Sequence, residues 1–370
     1  MNGRERIRHI FAHEPADRVG FWLGNPLPET KEIYARALRI EVVSAPAVAQ
    51  SVQEPVDWEA VAAIAVRAAQ ADLELAAALG GDFFWYSPEH DPAAWRHPEG
   101  KPIFDCYGGK PREFLGQAGV FANCEDAGEI EEFEWPDPRY LDFSSTLQVI
   151  DLVRARGMAV VSGMWMPFFH VVADFLGMEG YFIKMSTHPH VVEAITERVL
   201  EFYLESNRRF LEVAASRVDA FFFGNDIGSQ RDLLISPASF ARYVLPGMKR
   251  VVAQAKSFGL PVMLHSCGAV AKIIPSLIEA GIDALHPLQA RASGMDALSL
   301  ARRFKNDIAF VGGVDTQDLL PYRSASEVRE EVRRLKRIFG SLFVVSPSHE
   351  ALLPHVSLDN VLAMRDAALE

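Results

Sequence analysis

Short apolar segments alternate with longer amphipathic segments along the chain, and this alternation restricts the fold more than any other feature of the sequence. Eight segments are rich in β-branched or aromatic residues and have the length of buried strands. They are residues 19–23, 83–86, 160–164, 221–224, 262–265, 284–286, 308–312 and 343–346. The segments between them, such as 191–210 and 328–339, space their apolar residues like helices that pack one face on a sheet.

Repeated βα units of this kind fit a parallel sheet, either closed into a barrel or open and doubly wound. Eight strands in a chain of 370 residues favour the closed (β/α)8 TIM barrel, an α/β fold. Long stretches after the first and second strands predict insertions with additional helices, and the amino terminus predicts a helical extension. Since no linker or low-complexity segment divides the chain, we expect residues 1–370 to form a single domain.

Charge and cysteine content restrict the partners and the compartment. The sequence has 37 Lys and Arg against 49 Asp and Glu, a formal net charge of −12, which argues against nucleic acid or an anionic membrane surface as the main partner. A small-molecule substrate or a protein partner is expected instead. With three scattered cysteines and neither a signal peptide nor a transmembrane segment in the sequence, we expect a cytoplasmic protein without a disulfide framework.

A histidine and a cysteine follow the fifth predicted strand at its carboxyl end, where a barrel of this kind carries its chemistry. The segment 262–264 runs into His265, Ser266, Cys267 and Gly268. Alternate residues of an extended chain face the same side, so the imidazole of His265 and the thiol of Cys267 can reach one ion. Nitrogen and thiolate together are a ligand set that zinc prefers.

A third ligand is expected from the end of the last predicted strand, which closure of a barrel brings within reach of the fifth. His349 and Glu350 follow that strand. We predict His349 as the third ligand and Glu350 as a fourth donor or a base. Three protein ligands and one open position are typical of a catalytic zinc site. In the structural alternative, both histidines are hydrogen-bonded residues of the barrel mouth and Cys267 is a small buried thiol.

Polar residues also follow the fourth, sixth and seventh predicted strands. Asp226 could orient a ligand or act as a general base. Gln289 and Asp315 would position a ligand by hydrogen bonds. Each has a structural alternative, because Asn, Asp and Gly are favoured in any βα loop and Asp315 or Thr316 could cap a helix.

Aromatic residues near the second and third predicted strands indicate an apolar wall. The segment 164–170, MWMPFFH, is too apolar for an ordinary exposed loop. It either lines a deep pocket or packs under a neighbouring helix. We predict that Trp85, Tyr86, Trp165 and Phe168 form a substrate-binding wall that excludes water.

The chain resembles the uroporphyrinogen decarboxylase superfamily over nearly its whole length. The resemblance begins with residues 4–6 and 17–19 and is densest from 225 to 364. Its specific segments are 226–228 (DIG), 235–237 (ISP), 265–268 (HSCG), 281–283 (GID), 286–289 (HPLQ), 312–317 (GGVDTQ) and 359–361 (DNV). The resemblance implies a (β/α)8 barrel, in agreement with the strand count, and it is stronger to the corrinoid-dependent methyltransferases than to the decarboxylases.

In the methyltransferase branch, an H-x-C motif and a cysteine near the carboxyl end hold a zinc ion that binds a thiol acceptor such as coenzyme M. His265 and Cys267 match the motif, and His349 stands where the late cysteine is expected, judged from Pro347 and residues 359–360. A histidine there makes the site one charge less negative and should weaken activation of a bound thiolate.

The decarboxylases differ from this chain at two places. They carry an arginine-rich segment after the first strand and an aspartate near the end of the second, which bind substrate carboxylates and pyrrole NH groups. Here the two segments read FWLGNPLP (21–28) and FFWYSP (83–88). Because the counter-charges for an octa-anionic porphyrinogen are missing, we do not expect a role in heme biosynthesis.

These observations predict a zinc-dependent methyltransferase that moves a methyl group between a corrinoid carried by a partner protein and a small acceptor or donor. His265, Cys267 and His349 would hold Zn²⁺, and Asp226 and Glu350 would be the catalytic groups. Two alternatives stay open: a metal-free decarboxylase or lyase that acts on a small carboxylate, and a non-catalytic module that binds a corrinoid protein. Family members occur as monomers and as dimers, so a homodimer is open as well.

Overall fold

The eight predicted strands are present and form one parallel sheet. The computed structural model describes residues 1–44, 56–114 and 116–370. Its strands are Gly20–Phe21 (β1), Phe83–Trp85 (β2), Ala159–Ser162 (β3), Ala220–Gly224 (β4), Val262–His265 (β5), Ala284–Leu288 (β6), Ala309–Val314 (β7) and Phe343–Pro347 (β8). They pair in parallel in the order β1-β8-β7-β6-β5-β4-β3-β2. The result is the predicted (β/α)8 barrel, nearly closed.

Helices cover the outside of the barrel. They are Gly3–Phe11 (α1), Pro28–Ala37 (α2), Trp58–Ala78 (α3), Gly128–Glu131 (α4), Ser144–Ala155 (α5), Phe168–Leu176 (α6), Met178–Thr187 (α7), Pro189–Ala214 (α8), Pro237–Ser239 (α9), Leu245–Ser257 (α10), Ile274–Glu279 (α11), Ala297–Phe304 (α12), Leu319–Tyr322 (α13), Ala325–Phe339 (α14) and Leu358–Leu369 (α15). Short 3₁₀ turns lie at Pro88–His90, Pro138–Tyr140 and Ala215–Arg217, and a π-helical turn, Phe240–Val244, joins α9 to α10. Among the helices of the described ranges, none is long and apolar enough to cross a membrane.

The stretches after the first and second strands carry the predicted insertions. Helices α2 and α3 lie between β1 and β2, and α4 and α5 lie between β2 and β3. The second insertion also contains a short antiparallel bridge between Trp95 and Leu141. These segments enlarge one side of the barrel, next to the carboxyl ends of β1 and β2.

The amino-terminal end of the barrel is filled by α1, the predicted helical extension. Asn2 caps this helix with its side chain, and Ile7, Ile10 and Phe11 are buried in the barrel interior. Four strands begin with small side chains that leave room for these residues: Ala159, Ala220, Ala284 and Ala309. Because this end of the barrel interior is packed with side chains, we expect the functional site at the opposite, carboxyl end of the strands.

Asp82 joins β1 to β2 at the seam of the barrel. Its amide donates to the carbonyl of Phe21 and its carboxylate accepts from the amide of Phe21, both at 2.8 Å. The guanidinium groups of Arg6 and Arg18 donate to the same carboxylate at 2.6 and 2.8 Å. Asp82 is 2% exposed and Arg6 is 4% exposed. A buried ion network therefore ties α1 to both edges of the sheet.

Replacing Asp82 tests how much the barrel depends on this network. We expect Asp82→Ala to lower the free energy of unfolding by about 3–5 kcal/mol, because the variant leaves the guanidinium of Arg6 buried without its counter-charge. Urea unfolding followed by circular dichroism gives this value. As a control, Asp151→Ala removes an exposed ion pair with Arg217 and should change the stability by about 1 kcal/mol or less. Equal effects of the two substitutions would contradict a special role of the seam.

Candidate metal centre

The register of β5 and β6 places two histidines side by side at the open end of the barrel. His265 pairs with His286 in the parallel ladder, so their side chains point to the same face of the sheet. Their Nδ1 atoms are 2.9 Å apart and both residues are buried. His286 is not among the predicted site residues. Its position at the end of a predicted strand, like that of His265, is the sequence feature that could have identified it.

Cys267 lies beside the other ring nitrogen of His265. Its Sγ is 3.3 Å from His265 Nε2. Asp226 Oδ1 is 3.2 Å from the same nitrogen and accepts a hydrogen bond of 2.8 Å from the amide of Cys267. Gln289 accepts a hydrogen bond of 2.6 Å from the amide of Gly268. Asp226 and Gln289 therefore fix the turn that carries the thiol.

Two glycines let the loops of the site approach each other closely. Gly268 has a φ of +88°, and a Cβ there would lie 2.5 Å from the carbonyl carbon of Gly228. At the end of β4, a Cβ on Gly224 would lie 2.3 Å from the indole of Trp165. The loop after β4 and the ring of Trp165 can thus pack directly against the site.

His349 and Glu350 reach the thiol from the end of β8. Donor atoms of Cys267, His349 and Glu350 lie within 4.8 Å of one another. The same holds for Asp226, His265 and Cys267, and for His265, His286 and Glu350. Within the described ranges, none of these groups contains both His265 and His349. The structure therefore places Cys267 and Glu350 near each of the two histidines, but among the described residues it does not join His265 and His349 in one group of donors.

Two candidate ligand atoms lie on the β8 side, one on Glu350 and one on His349. Glu350 Oε2 is buried and lies 3.8 Å from the Nδ1 atoms of both His265 and His349. Within the part of the chain that the structure describes, it has no hydrogen-bond partner. His349 Nδ1 accepts a hydrogen bond of 3.2 Å from the amide of Ala351. Since an acceptor Nδ1 places the proton of a neutral ring on Nε2, His349 must release this hydrogen bond before either nitrogen can bind an ion.

The charges of the site favour a positive group at His265. Burial alone lowers its pKa, but the carboxylates of Glu350 and Asp226 outweigh burial and hold the pKa of His265 well above its ordinary value. Burial raises the pKa of Asp226, but the hydrogen bond and charge of His265 hold it well below its usual range. Burial and the neighbouring His265 lower the pKa of His286, which is therefore neutral.

Aromatic rings form the floor beneath the histidines. The ring centroid of Trp165 is 5.1 Å from that of His265, and Trp85 is 4.8 Å from Trp165. Trp22, which was not predicted, lies 4.9 Å from His286. Trp22 and Trp85 also line a neighbouring cavity of about 580 Å³ between the barrel mouth and helices α2 and α3. Two of the predicted wall residues, Trp85 and Trp165, are thus part of the site.

The other predicted binding residues have different surroundings. Tyr86 lines the cavity beside Trp85. Phe168 packs in the outer core, where a Cβ on Gly247 would lie 3.2 Å from its ring. Asp315 is ion-paired with Arg291 at 2.8 Å and accepts hydrogen bonds from the amides of residues 317, 318 and 319. These hydrogen bonds hold the loop that leads into α13. The role of Asp315 is therefore better described as starting a helix than as binding a ligand.

Glu89 lies at the same mouth and was not predicted. It accepts hydrogen bonds from the hydroxyl of Ser87 and, at 2.9 Å, from the amide of Trp165. The residue is exposed by its accessible surface, but many protein atoms lie around its carboxyl group. This desolvation outweighs the two hydrogen bonds and raises the pKa of Glu89 to about 7.

The raised pKa of Glu89 predicts a pH dependence of stability. The folded chain keeps this proton up to a pH of about 7, whereas an unfolded chain loses it near the ordinary value of 4.5. Because the folded state binds more protons between these values, this group lowers stability as the pH rises through the window. We expect the free energy of unfolding of Glu89→Gln, measured relative to the wild type, to be higher at pH 8 than at pH 5. Urea unfolding at both pH values gives this difference. Parallel pH curves would contradict the assignment.

Three comparisons relate this chain to known proteins. The model of the uroporphyrinogen decarboxylase (URO-D) family matches residues 116–370. The methylated-thiol–coenzyme M methyltransferase of Methanosarcina mazei is 25% identical over 212 residues, which are 55% of this chain and 53% of that protein. The match thus spans about half the length of that relative. A solved structure, a methyltransferase from Methanosarcina mazei, has a TM-score of 0.66 at 17% identity and covers 100% of this chain and 98% of its own.

The structural likeness shows a shared barrel fold, and the family model supplies the classification. The matched region includes β3 to β8 and therefore both loops that carry the candidate metal ligands. Because the model covers more than half of the sequence, the chain belongs to the uroporphyrinogen decarboxylase family.

Proposed function

We propose that this chain is a zinc-dependent methyltransferase, in which residues 1–370 act as one barrel domain. It moves a methyl group between a corrinoid carried by a partner protein and a small acceptor or donor. The observation that carries this proposal is the set of overlapping donor groups at the open end of the barrel, in which Cys267 lies near His265 in one group and near His349 and Glu350 in another. The similarity to a methylated-thiol–coenzyme M methyltransferase supports the reaction class. The corrinoid partner follows from the resemblance to corrinoid-dependent methyltransferases.

Part of the donor set already has the spacing of a zinc site. With bonds of about 2.0–2.3 Å, two ligands of a tetrahedral ion lie roughly 3.5 Å apart, close to the 3.3 Å between His265 Nε2 and Cys267 Sγ. Because His265 and His349 share no donor group among the described residues, His349 would have to move toward the ion. Glu350 Oε2 is a buried carboxylate oxygen that has no hydrogen-bond partner among the described residues. Such an atom calls for an explanation in a folded protein, and a cation supplies one. Imidazole, thiolate and carboxylate together are typical ligands of zinc.

The residues around the donors prepare the site for this chemistry. Zinc bound there would lower the pKa of a coordinated thiol and present its sulfur as a nucleophile to a methyl carbon. Asp226 and Gln289 hold the turn that carries Cys267 through its backbone amides. Trp165 and Trp22 pack against the histidines and exclude water from the lumen side. The chain thus provides a site with a fixed thiol turn and an aromatic lining on its inner side.

The same charges disfavour the substrate after which the family is named. The carboxylates of Asp226 and Glu350 lie at the mouth. A porphyrinogen with many carboxylates would be repelled by them, in a chain whose formal net charge is already −12. A small substrate with few or no negative charges fits this mouth better.

Metal analysis tests the proposed ligands. After zinc reconstitution under reducing conditions and removal of free metal, we expect about one zinc per chain in the wild type. Loss of a residue that only hydrogen-bonds to a ligand weakens metal binding by roughly 10–100-fold. Cys267→Ala should lower the zinc affinity by more than this, because it removes a ligand itself. His349→Ala should also lose zinc. Cys124→Ala is the matched control, since this buried thiol donates to the carbonyl of Asp126 away from the site.

Methyl transfer distinguishes the proposed enzyme from its alternatives. With methylcobalamin as the corrinoid and a simple thiol as the acceptor, the wild type should form the thioether and Cys267→Ala should not. Wild-type protein that takes up no zinc, or full zinc in Cys267→Ala, would overturn the metal site. Activity on a small carboxylate that is lost in Asp226→Asn would then favour the lyase. Binding of a corrinoid protein without methyl exchange would favour a binding module.

A further inference from the structure

The ring nitrogen of His265 that faces away from Cys267 has a defined partner. Nδ1 of His265 lies 2.9 Å from Nδ1 of His286. Glu350 Oε2 is farther from the same nitrogen, at 3.8 Å. A histidine that binds a metal through one nitrogen commonly donates its other N–H to a carboxylate, a carbonyl or a water. Here the nearest partner is instead a second imidazole.

The hydrogen bond between the two rings has two directions, and they differ in what they leave at Nε2 of His265. A neutral imidazole carries one proton, so one nitrogen donates and the other accepts. If Nδ1 of His286 donates, Nδ1 of His265 accepts, and the one proton of a neutral His265 ring lies on Nε2. That nitrogen then cannot bind an ion. If His265 donates from Nδ1, an ion can take the place of the proton on Nε2, beside Cys267 Sγ at 3.3 Å and Asp226 Oδ1 at 3.2 Å. Ion binding through Nε2 therefore requires that His286 accept.

The surroundings of His286 hold its ring next to His265. The residue is 0% exposed, and its ring lies 4.9 Å from Trp22 and 5.8 Å from Phe222, measured between centroids. Its Nε2 is buried and has no hydrogen-bond partner among the described residues. A buried polar atom without a partner lowers the stability of a folded protein. Such a group needs an explanation, and stability does not supply one.

We propose that His286 is a positioning residue for the metal: its Nδ1 accepts the Nδ1–H of His265 and so directs the Nε2 lone pair of His265 toward Cys267 and the ion. This inference rests on the proposed zinc site. Because the acceptor is neutral, it sets the proton position of His265 without adding negative charge to a site that already contains Asp226 and Glu350. The register of β5 and β6 maintains the contact, since the two residues are partners in the ladder.

Two amide variants that differ by one methylene group test the proposal. In His286→Asn the side-chain oxygen can take the place of Nδ1, whereas in His286→Gln it reaches the place of Nε2. We expect His286→Asn to keep the zinc affinity of the wild type. His286→Gln and His286→Leu should bind zinc about 10–100-fold more weakly. The affinities are measured by competition with a chelating indicator, and the absorption spectrum of bound Co²⁺ reports whether the ligand set stays intact.

The outcomes separate this inference from the proposed function. Urea unfolding of the metal-free variants shows whether they fold, and the comparison of the Asn and Gln variants does not require the Leu variant to be stable. Equal zinc affinity in the Asn and Gln variants, whether high or low, would overturn the positioning role of His286 while the metal site stands. A wild type that binds no zinc would overturn both proposals.

Discussion

Closure of the parallel sheet is the constraint on which the rest of this structure depends. Eight strands run in the same direction, so all their carboxyl ends meet at one mouth, and residues far apart in sequence become neighbours there. At the seam between β1 and β2, the buried carboxylate of Asp82 bonds the backbone of Phe21 and the guanidinium groups of Arg6 and Arg18. The same ions anchor α1, whose apolar face fills the opposite end. One end is thereby packed and the other is left for chemistry.

The side chains at the mouth of the barrel surround the imidazole of His265. His265 has the carboxylate of Asp226 and the thiol of Cys267 on one nitrogen, and His286 on the other. Asp226 has a second role, since it also accepts the hydrogen bond from the backbone amide of Cys267 that fixes the turn. Removing it would disturb both the charge and the shape of the site. Glu350 Oε2 is a buried atom of this arrangement without a hydrogen-bond partner among the described residues, and the proposed zinc ion would supply one.

Much of the site could be predicted because local pattern and position in a βα unit coincide. His265 and Cys267 stand two residues apart at a strand end, and no tertiary information is needed to place both on one side. Asp315 shows the limit of such reasoning, because a carboxylate after a strand serves equally well to start a helix, as it does for α13. Phe168 shows another limit. An apolar loop after a strand does not reveal which of its rings turn inward, and this one joins the outer core.

The sequence alone determined the alternation of strands and helices, the barrel class and the residues that end each strand, because these follow from hydrophobic periodicity within short segments. Only the tertiary structure decided which strand ends touch. The pairing of His265 with His286 depends on the register of two strands, and the approach of Glu350 to His265 depends on closure of the sheet. Register and closure are set by packing of the whole barrel, which no local segment of sequence contains.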